Sequence, residues 1–147
     1  MPYLTEENFR VAQCVMLAPG AIAMLTDCLH GRVSKVLLGY RNLFPTAVGI
    51  WKTLIIAANL AEGGKHALIG QRLISVLMGG VVFHHVVAEG QPTQMGAGLV
   101  FLALSAVIPV LRNELVLREA VMGSVLLSAV GYGIGVLAFA GKGDKGK

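Results

Sequence analysis

The stretch AVMGSVLLSAVGYGIGVLAFA, residues 120–140, contains no charged side chain. A helix of about 20 such residues is long enough to cross the roughly 30 Å hydrocarbon core of a bilayer. Four more apolar stretches precede it, at residues 9–29, 44–61, 67–88 and 95–111, and the five fill most of the 147-residue chain. The connections between them are too short to fold separately in water. We therefore predict that lipid surrounds most of this protein.

Composition also favours a membrane protein. Apolar residues make up 55% of the chain and charged residues 14%, whereas soluble domains carry about 25% charged residues. The net charge is +4, and most of the basic residues lie in the connectors and the C-terminal tail. This distribution fits anionic lipid headgroups as partners. Nucleic acid binding is not expected, because no basic stripe is accompanied by stacking aromatic residues.

The fold class predicted from these stretches is all-α. In lipid every backbone amide must find its hydrogen-bond partner within the protein, and the stretches are too continuously apolar for barrel strands. Thr5 followed by Glu6 and Glu7 predicts the start of the first helix. We expect residues 1–147 to form a single domain, an integral membrane helical bundle.

A connector at residues 30–43 has the pattern of an interfacial helix. Arg32, Lys35 and Arg41 alternate there with apolar residues. A helix with one basic and one apolar side lies in the plane of the membrane surface. These three side chains are therefore predicted to contact lipid headgroups or a partner.

Lys52 and Asn59 are conspicuous polar residues within the second stretch. They are seven residues apart and so lie on the same helical face. A lysine near the centre of a membrane helix costs roughly 2.5–3.5 kcal/mol. One interpretation is a polar seam facing a partner subunit, a lipid headgroup or a quinone. The alternative is that Lys52 extends to the membrane surface beside Trp51.

Four glycines are candidates for helix packing. Gly79 and Gly80 lie within the third stretch, and Gly131 and Gly135 form a GxxxG motif in the fifth. Small residues at such positions allow helix backbones to approach closely. The glycine face of the fifth stretch is predicted to bind a partner.

His84 and His85, near the end of the third stretch, are the candidates for cofactor binding. A histidine in a membrane helix can bind haem or chlorophyll, and bis-histidine haem needs a second histidine facing the first. His30 and His66 lie outside the apolar cores, so we expect no cofactor and retain haem or pigment binding as an alternative. The spacing of His85 and Glu89 permits a hydrogen bond within one helix. No spacing in the chain resembles a zinc site, so no metal site is predicted.

No constellation for catalysis is apparent. The sequence contains no Gly-x-Ser-x-Gly motif, no phosphate-binding glycine loop and no paired carboxylates within an apolar stretch. The prediction is that the protein is not an enzyme.

The second to fourth stretches resemble the DoxX-like family of small four-helix membrane proteins. The similar part is FHHVVAEGQP, residues 83–92, followed by an apolar run that ends at Arg112. Residues 20–26 are similar to the family's first helix, although the family's lysine after the glycine is absent. The resemblance implies a four-helix unit, to which the fifth stretch adds a C-terminal transmembrane helix. It implies an accessory partner of membrane oxidoreductases or an assembly chaperone, and it transfers no catalytic residues.

These observations predict a non-catalytic accessory or structural subunit of a larger membrane complex, with other membrane subunits as partners. A DoxX-like assembly chaperone is one alternative, and a haem-, quinone- or pigment-binding subunit that uses His84 and His85 is another. Small multi-helix subunits of this kind are frequent in respiratory and ATP synthase complexes. The mitochondrial inner membrane is therefore the favoured location, while plastid, endoplasmic reticulum and bacterial membranes remain open.

Overall fold

The computed structural model describes residues 5–26 and 44–140. Within these ranges all regular elements are helical and no strand occurs, which confirms the all-α prediction. The predicted interfacial helix at residues 30–43, with Arg32, Lys35 and Arg41, lies outside the described residues.

Five α-helices follow one another along the described chain: α1 (Glu6–Leu25), α2 (Phe44–Leu60), α3 (Ala67–Phe83), α4 (Gly96–Leu111) and α5 (Leu117–Ala140). Short helical turns connect three of them. They are 3₁₀ turns at Ala61–Gly64 and Pro92–Met95, and a π-helical turn at His84–Ala88.

The first helix begins at its capping residues, which precede the apolar stretch. The Thr5 side-chain oxygen accepts a hydrogen bond from the Asn8 backbone N–H at 3.3 Å, which satisfies one of the free amides of the first turn. Glu6 and Glu7 occupy that turn, where negative charge is favourable. The helix start predicted from Thr5 is therefore confirmed.

Four segments are long and apolar enough to cross a membrane: Glu6–Leu25, Ala67–Ala88, Pro92–Leu111 and Leu117–Ala138. The second apolar stretch differs. The described part of its helix, α2, has 17 residues, or about 26 Å at 1.5 Å per residue, and the residues directly before Phe44 lie outside the described ranges.

The turn after α2 limits its length. Glu62 and Gly63 have positive φ angles of 49° and 66°, and left-handed backbone cannot continue a right-handed helix. The chain reverses there and enters α3. Trp51 of α2 then lies beside α3, and its indole N–H donates to the Leu73 carbonyl at 3.1 Å.

Helix α3 is central to the described structure, because it packs against α2, α4 and α5, while α1 packs against α2 and touches α4. The buried apolar core draws on α1 to α4 and consists of Leu17, Ile55, Ile74, Met78 and Phe101. The helices alternate in direction from α1 to α4, and α5 runs parallel to α3. As a result α1, α3 and α5 begin at one end of the molecule, which we call the charged end. The opposite end, which holds the π turn, is called the histidine end.

Helices α3 and α5 make a close backbone contact. A Cβ atom placed on Gly79 would overlap the carbonyl oxygen of Ser128, and one placed on Gly131 would overlap that of Val76. Both positions therefore require glycine for the two helices to lie this close.

The other two predicted packing glycines lie along the same contact. A Cβ on Gly80 would lie 3.7 Å from the Gly131 carbonyl oxygen, and one on Gly135 would meet the ring of Phe83. The glycine face of α5 thus packs within the chain. A partner that binds α5 must use another face.

Candidate functional site

Polar side chains are buried between the helices. We call this set the polar core, and its members are Arg10, Gln13, Asn59, Gln71, Ser75, Ser105 and Ser124. Because buried polar groups in an apolar setting need hydrogen-bond partners, each member constrains the helices around it.

Arg10 connects α1 to the end of α2. Its side chain is 3% exposed, and its guanidinium donates to the carbonyl oxygens of Asn59 and, at 3.3 Å, of Gly63. Its Nε also donates to Glu6 Oε2 at 3.4 Å. Asn59 lies in the last turn of α2, where a cation complements both the free carbonyls and the helix dipole. A Cβ on Gly64 would collide with the guanidinium, so this glycine makes room for it.

Three amide side chains continue the polar core from Arg10. Gln71 Nε2 donates to Gln13 Oε1 at 2.9 Å and to Asn59 Oδ1 at 2.7 Å, so one side chain of α3 joins α1 and α2. Asn59 Nδ2 in turn donates to the Ile55 carbonyl at 2.9 Å. Gln13 Nε2 and Gln71 Oε1 have no hydrogen-bond partner among the described residues.

Serine hydroxyls extend the polar core to α4 and α5. The hydroxyl oxygens of Ser75 and Ser105 lie 2.9 Å apart, and that of Ser105 lies 3.5 Å from that of Ser124. The Ser128 hydroxyl donates to the Ser75 carbonyl at 3.2 Å. Side-chain hydrogen bonds therefore link α3 to each of the other four helices.

The predicted seam of Lys52 and Asn59 divides in the structure. Asn59 is fully buried in the polar core. Lys52 is partly buried against α1, where its ammonium would lie 2.7 Å from a Cβ placed on Gly20. Among the described residues no carboxylate pairs with it. Asn59 thus serves packing within the chain, whereas Lys52 is a cation within an apolar helix.

The charged end is joined by ion pairs around Arg112. Its Nη1 lies 2.9 Å from Glu6 Oε1, and its Nε lies 2.8 Å from Glu114 Oε1. The pair with Glu6 ties the end of α4 to the start of α1, and the pair with Glu114 lies within the α4–α5 connector. The hydrogen bond that Arg112 donates to Glu114, aided by the charges of Glu114 and Glu6, raises the pKa of Arg112 above its usual value. Because this pKa is raised, the ion pairs of Arg112 stabilise the folded protein fully at any pH below the ordinary arginine pKa. This stabilisation is lost only in strong alkali.

The histidine end holds a cluster of three titratable side chains. His84 Nε2 lies 3.2 Å from Glu89 Oε1, and His85 Nδ1 lies 2.6 Å from Glu89 Oε2. The carboxylate therefore stands between the two imidazoles. All three side chains are partly buried and remain accessible. The four-residue spacing predicted the link from His85, but the sequence pattern missed the link from His84.

The π turn explains the missed contact. The Glu89 N–H donates to the His84 carbonyl at 2.9 Å, a bond that spans five residues instead of four. The wider turn brings residue 89 next to both 84 and 85. A sequence pattern based on α-helical spacing does not anticipate this geometry.

No facing histidine for bis-histidine haem lies near this cluster within residues 5–26 and 44–140. The other described histidine, His66, precedes the first residue of α3. At 1.5 Å per residue it is about 27 Å from His84. Haem or pigment binding by His84 and His85 therefore stays a prediction, with any second ligand still to be found.

Arg10, Gln13 and Gln71 were not singled out as site residues from sequence. Two signals were available. Arg10 and Gln13 are three residues apart and so lie on one helical face, and Gln71 precedes Ser75 by one helical turn. Polar residues at such spacing inside an apolar stretch indicate an internal polar face.

Comparison of the chain with models of protein families, with curated proteins and with solved structures finds no match.

Proposed function

We propose that this chain is a non-catalytic subunit of a larger membrane protein assembly and that the outward face of α5 binds a neighbouring subunit. The observation that carries the proposal is a pair of small residues on that face. Ala129 is exposed, and a Cβ placed on Gly133 would have no neighbour within 4 Å. Their four-residue spacing repeats that of Gly131 and Gly135, which pack against α3.

Large apolar residues flank the small pair. Leu126, Val130 and Leu137 are exposed to 64%, 54% and 78%. With Ala129 and Gly133 they form the outer face of α5. Small residues between large ones create a groove that accepts the backbone of another transmembrane helix. Lipid tails do not require such a groove, so the shape favours a protein helix as the occupant.

The internal organisation of the chain supports a scaffolding role. The polar core uses side-chain hydrogen bonds to connect the helices with one another, and the ion pairs of Arg112 join two helix ends. This arrangement suits a rigid helical bundle whose value to an assembly is its shape. The resemblance to the DoxX-like family, some of whose members are accessory partners, agrees with this role.

The proposed setting is an energy-transducing complex, either respiratory or ATP synthase, in the mitochondrial inner membrane. The four helices of spanning length support a place in a membrane. The choice of membrane rests on where small non-catalytic multi-helix subunits are common. Anionic lipids are proposed as further partners of the basic connectors.

A pair of matched substitutions tests the outer face. Ala129→Leu fills the groove, and Ala103→Leu makes the same change at an exposed position of α4. Tagged chains are extracted from their native membrane in mild detergent and examined by native electrophoresis and mass spectrometry. We expect the parent and Ala103→Leu to migrate with other polypeptides in a large complex, and Ala129→Leu to migrate free.

Other outcomes would contradict the proposal. A parent chain found only as a monomer, or only in multiples of its own 15.4 kDa mass, would exclude a stable subunit. A complex that forms only transiently, with the free chain as the main species, would favour the chaperone alternative. Equal assembly of Ala129→Leu and Ala103→Leu would show that the outer face is not the docking surface.

A further inference from the structure

We propose that His84, His85 and Glu89 bind a divalent transition-metal ion, with zinc as the preferred ion, at the histidine end of the protein. The inference goes beyond the proposed structural role and does not depend on it. It rests on the geometry of three side chains, of which the sequence pattern linked only His85 with Glu89.

The ligand atoms are already close to the separations that a zinc ion needs. One ligand atom from each of the three residues can be chosen so that all lie within 4.8 Å of one another. In a tetrahedral site with bonds of about 2.1 Å, two ligand atoms lie about 3.4 Å apart. The 3.2 Å from His84 Nε2 to Glu89 Oε1 is near this value. His85 Nδ1 lies 2.6 Å from the other carboxylate oxygen, Glu89 Oε2, so these two side chains would move apart to admit the ion.

The π turn is what makes the convergence possible. In an α-helix, neighbouring residues such as His84 and His85 point about 100° apart, and one carboxylate does not readily serve both. Here the His84 carbonyl accepts from the Glu89 N–H at 2.9 Å and the His85 carbonyl accepts from the Gln91 N–H at 2.7 Å. The widened turn sets Glu89 against both imidazoles, and π turns of this kind occur frequently at functional sites.

The donor set matches transition-metal chemistry. Two imidazole nitrogens and one carboxylate supply two neutral ligands and one negative charge, a combination found in zinc sites with three protein ligands. Imidazole selects zinc, copper, nickel and iron over magnesium and calcium. A bound ion would replace the direct contacts that Glu89 now makes with the two imidazoles. Because the three side chains are partly accessible, the fourth position would be open to water.

Metal binding to the purified protein tests the proposal directly. The chain carries a tag without histidines and is reconstituted in detergent or nanodiscs after removal of metal. Cobalt serves as the spectroscopic probe, because Co²⁺ with nitrogen and oxygen ligands absorbs visible light, and zinc is then added as competitor. We expect one cobalt ion per chain, displaced by zinc but not by magnesium or calcium.

Single variants identify the ligands. We expect His84→Ala, His85→Ala and Glu89→Gln each to weaken cobalt and zinc binding by at least about tenfold, since even supporting residues of metal sites contribute about 10- to 100-fold. His66→Ala, which removes an exposed histidine at the opposite end of α3, is the matched control and should bind like the parent. Circular dichroism and gel filtration establish that each variant keeps its helices.

Thermal unfolding gives a second measurement, because a ligand that binds only the folded state raises its unfolding temperature. Zinc should raise it in the parent and in His66→Ala, but not in the three ligand variants. Absence of stoichiometric cobalt or zinc binding would overturn the proposal. So would metal binding that persists in a chain carrying both His84→Ala and His85→Ala, because the ion would then be held elsewhere.

Discussion

Gln71 joins three helices through one amide group. It donates to Gln13 on α1 and to Asn59 on α2, and its side chain is completely buried. Within a membrane there is no water to replace these bonds, so removal of the donor leaves two oxygens unpaired. A single polar residue therefore favours the meeting of these particular faces of α1, α2 and α3.

Gln13, Asn59 and Gln71 form an amide cluster. Substitutions within it should change the free energy of unfolding non-additively. Gln71→Leu is expected to destabilise the protein by about 1–3 kcal/mol, because it leaves the Gln13 and Asn59 oxygens without a donor. Gln13→Leu, Asn59→Leu and Gln71→Leu combined should recover part of the loss, since an apolar replacement of all partners leaves nothing unsatisfied. Denaturant unfolding in micelles measures both. A triple variant that loses more stability than the three single variants lose in total would contradict this account.

Glycine substitutions on the two faces of α5 should affect stability differently. Gly131→Ala is expected to destabilise the fold by about 1–3 kcal/mol, because its methyl group would overlap the Val76 carbonyl and force α3 and α5 apart. Gly133→Ala should be neutral or slightly stabilising, because the space around it is open and alanine favours a helix. Thermal unfolding compares the two variants. Equal losses of stability would argue against the close contact between α3 and α5.

At the scale of elements, the role of α5 differs from the expectation that it is an addition to a four-helix unit. It lies along α3 with glycines at the contact, and it supplies Ser124 and Ser128 to the buried hydrogen bonds. It also accepts a weak hydrogen bond from Arg72 at the Ala120 carbonyl. Helix α5 therefore completes the interior and at the same time presents its outer face.

Removal of α5 should accordingly damage the fold as well as assembly. A chain that ends at Arg118 would expose Gly79 and the serine hydroxyls of α3 and α4 to lipid. We expect a lower yield in the membrane and a lower unfolding temperature than in Ala129→Leu, which alters only the outer face. A truncated chain with the parent's thermal stability would show that α5 is an appendage.

At the scale of the whole molecule, helix direction divides the connectors between two sides. The α2–α3 and α4–α5 connectors lie at the charged end, and the α3–α4 connector lies at the histidine end. The ion pair between Glu6 and Arg112 and the bond from Arg10 to the Gly63 carbonyl hold the charged end together. If α3 and α5 span the bilayer, the two ends face different compartments.

Cysteine labelling can check this arrangement. In a background without Cys14 and Cys28, cysteine replaces one of three exposed residues: Lys65, Arg118 or Gln91. A membrane-impermeant maleimide added to sealed vesicles should label the first two from one side and the third only from the other. Labelling of Lys65→Cys and Gln91→Cys from the same side would show that α3 does not cross the membrane.

The helical class and the presence of membrane-length segments followed from the sequence by itself. Apolar runs of about 20 residues must be helical in lipid, because only helices and closed barrels satisfy every backbone amide there. The start of α1 was also predictable, since Thr5 and the acids after it are local capping signals. These properties depend on residues that are close together along the chain, so composition and spacing predict them directly.

The tertiary structure alone decided what the polar residues do. Whether Asn59 faces a partner or Gln71 depends on the rotation of α2 against α3, which an almost uniformly apolar helix surface leaves open. Which pair of small residues on α5 faces inward depends on carbonyl contacts with α3. The convergence of His84, His85 and Glu89 depends on a turn one residue wider than an α-helical one. Each of these outcomes comes from contacts between segments distant in sequence or from a local departure from regular helix, and neither is encoded in residue spacing.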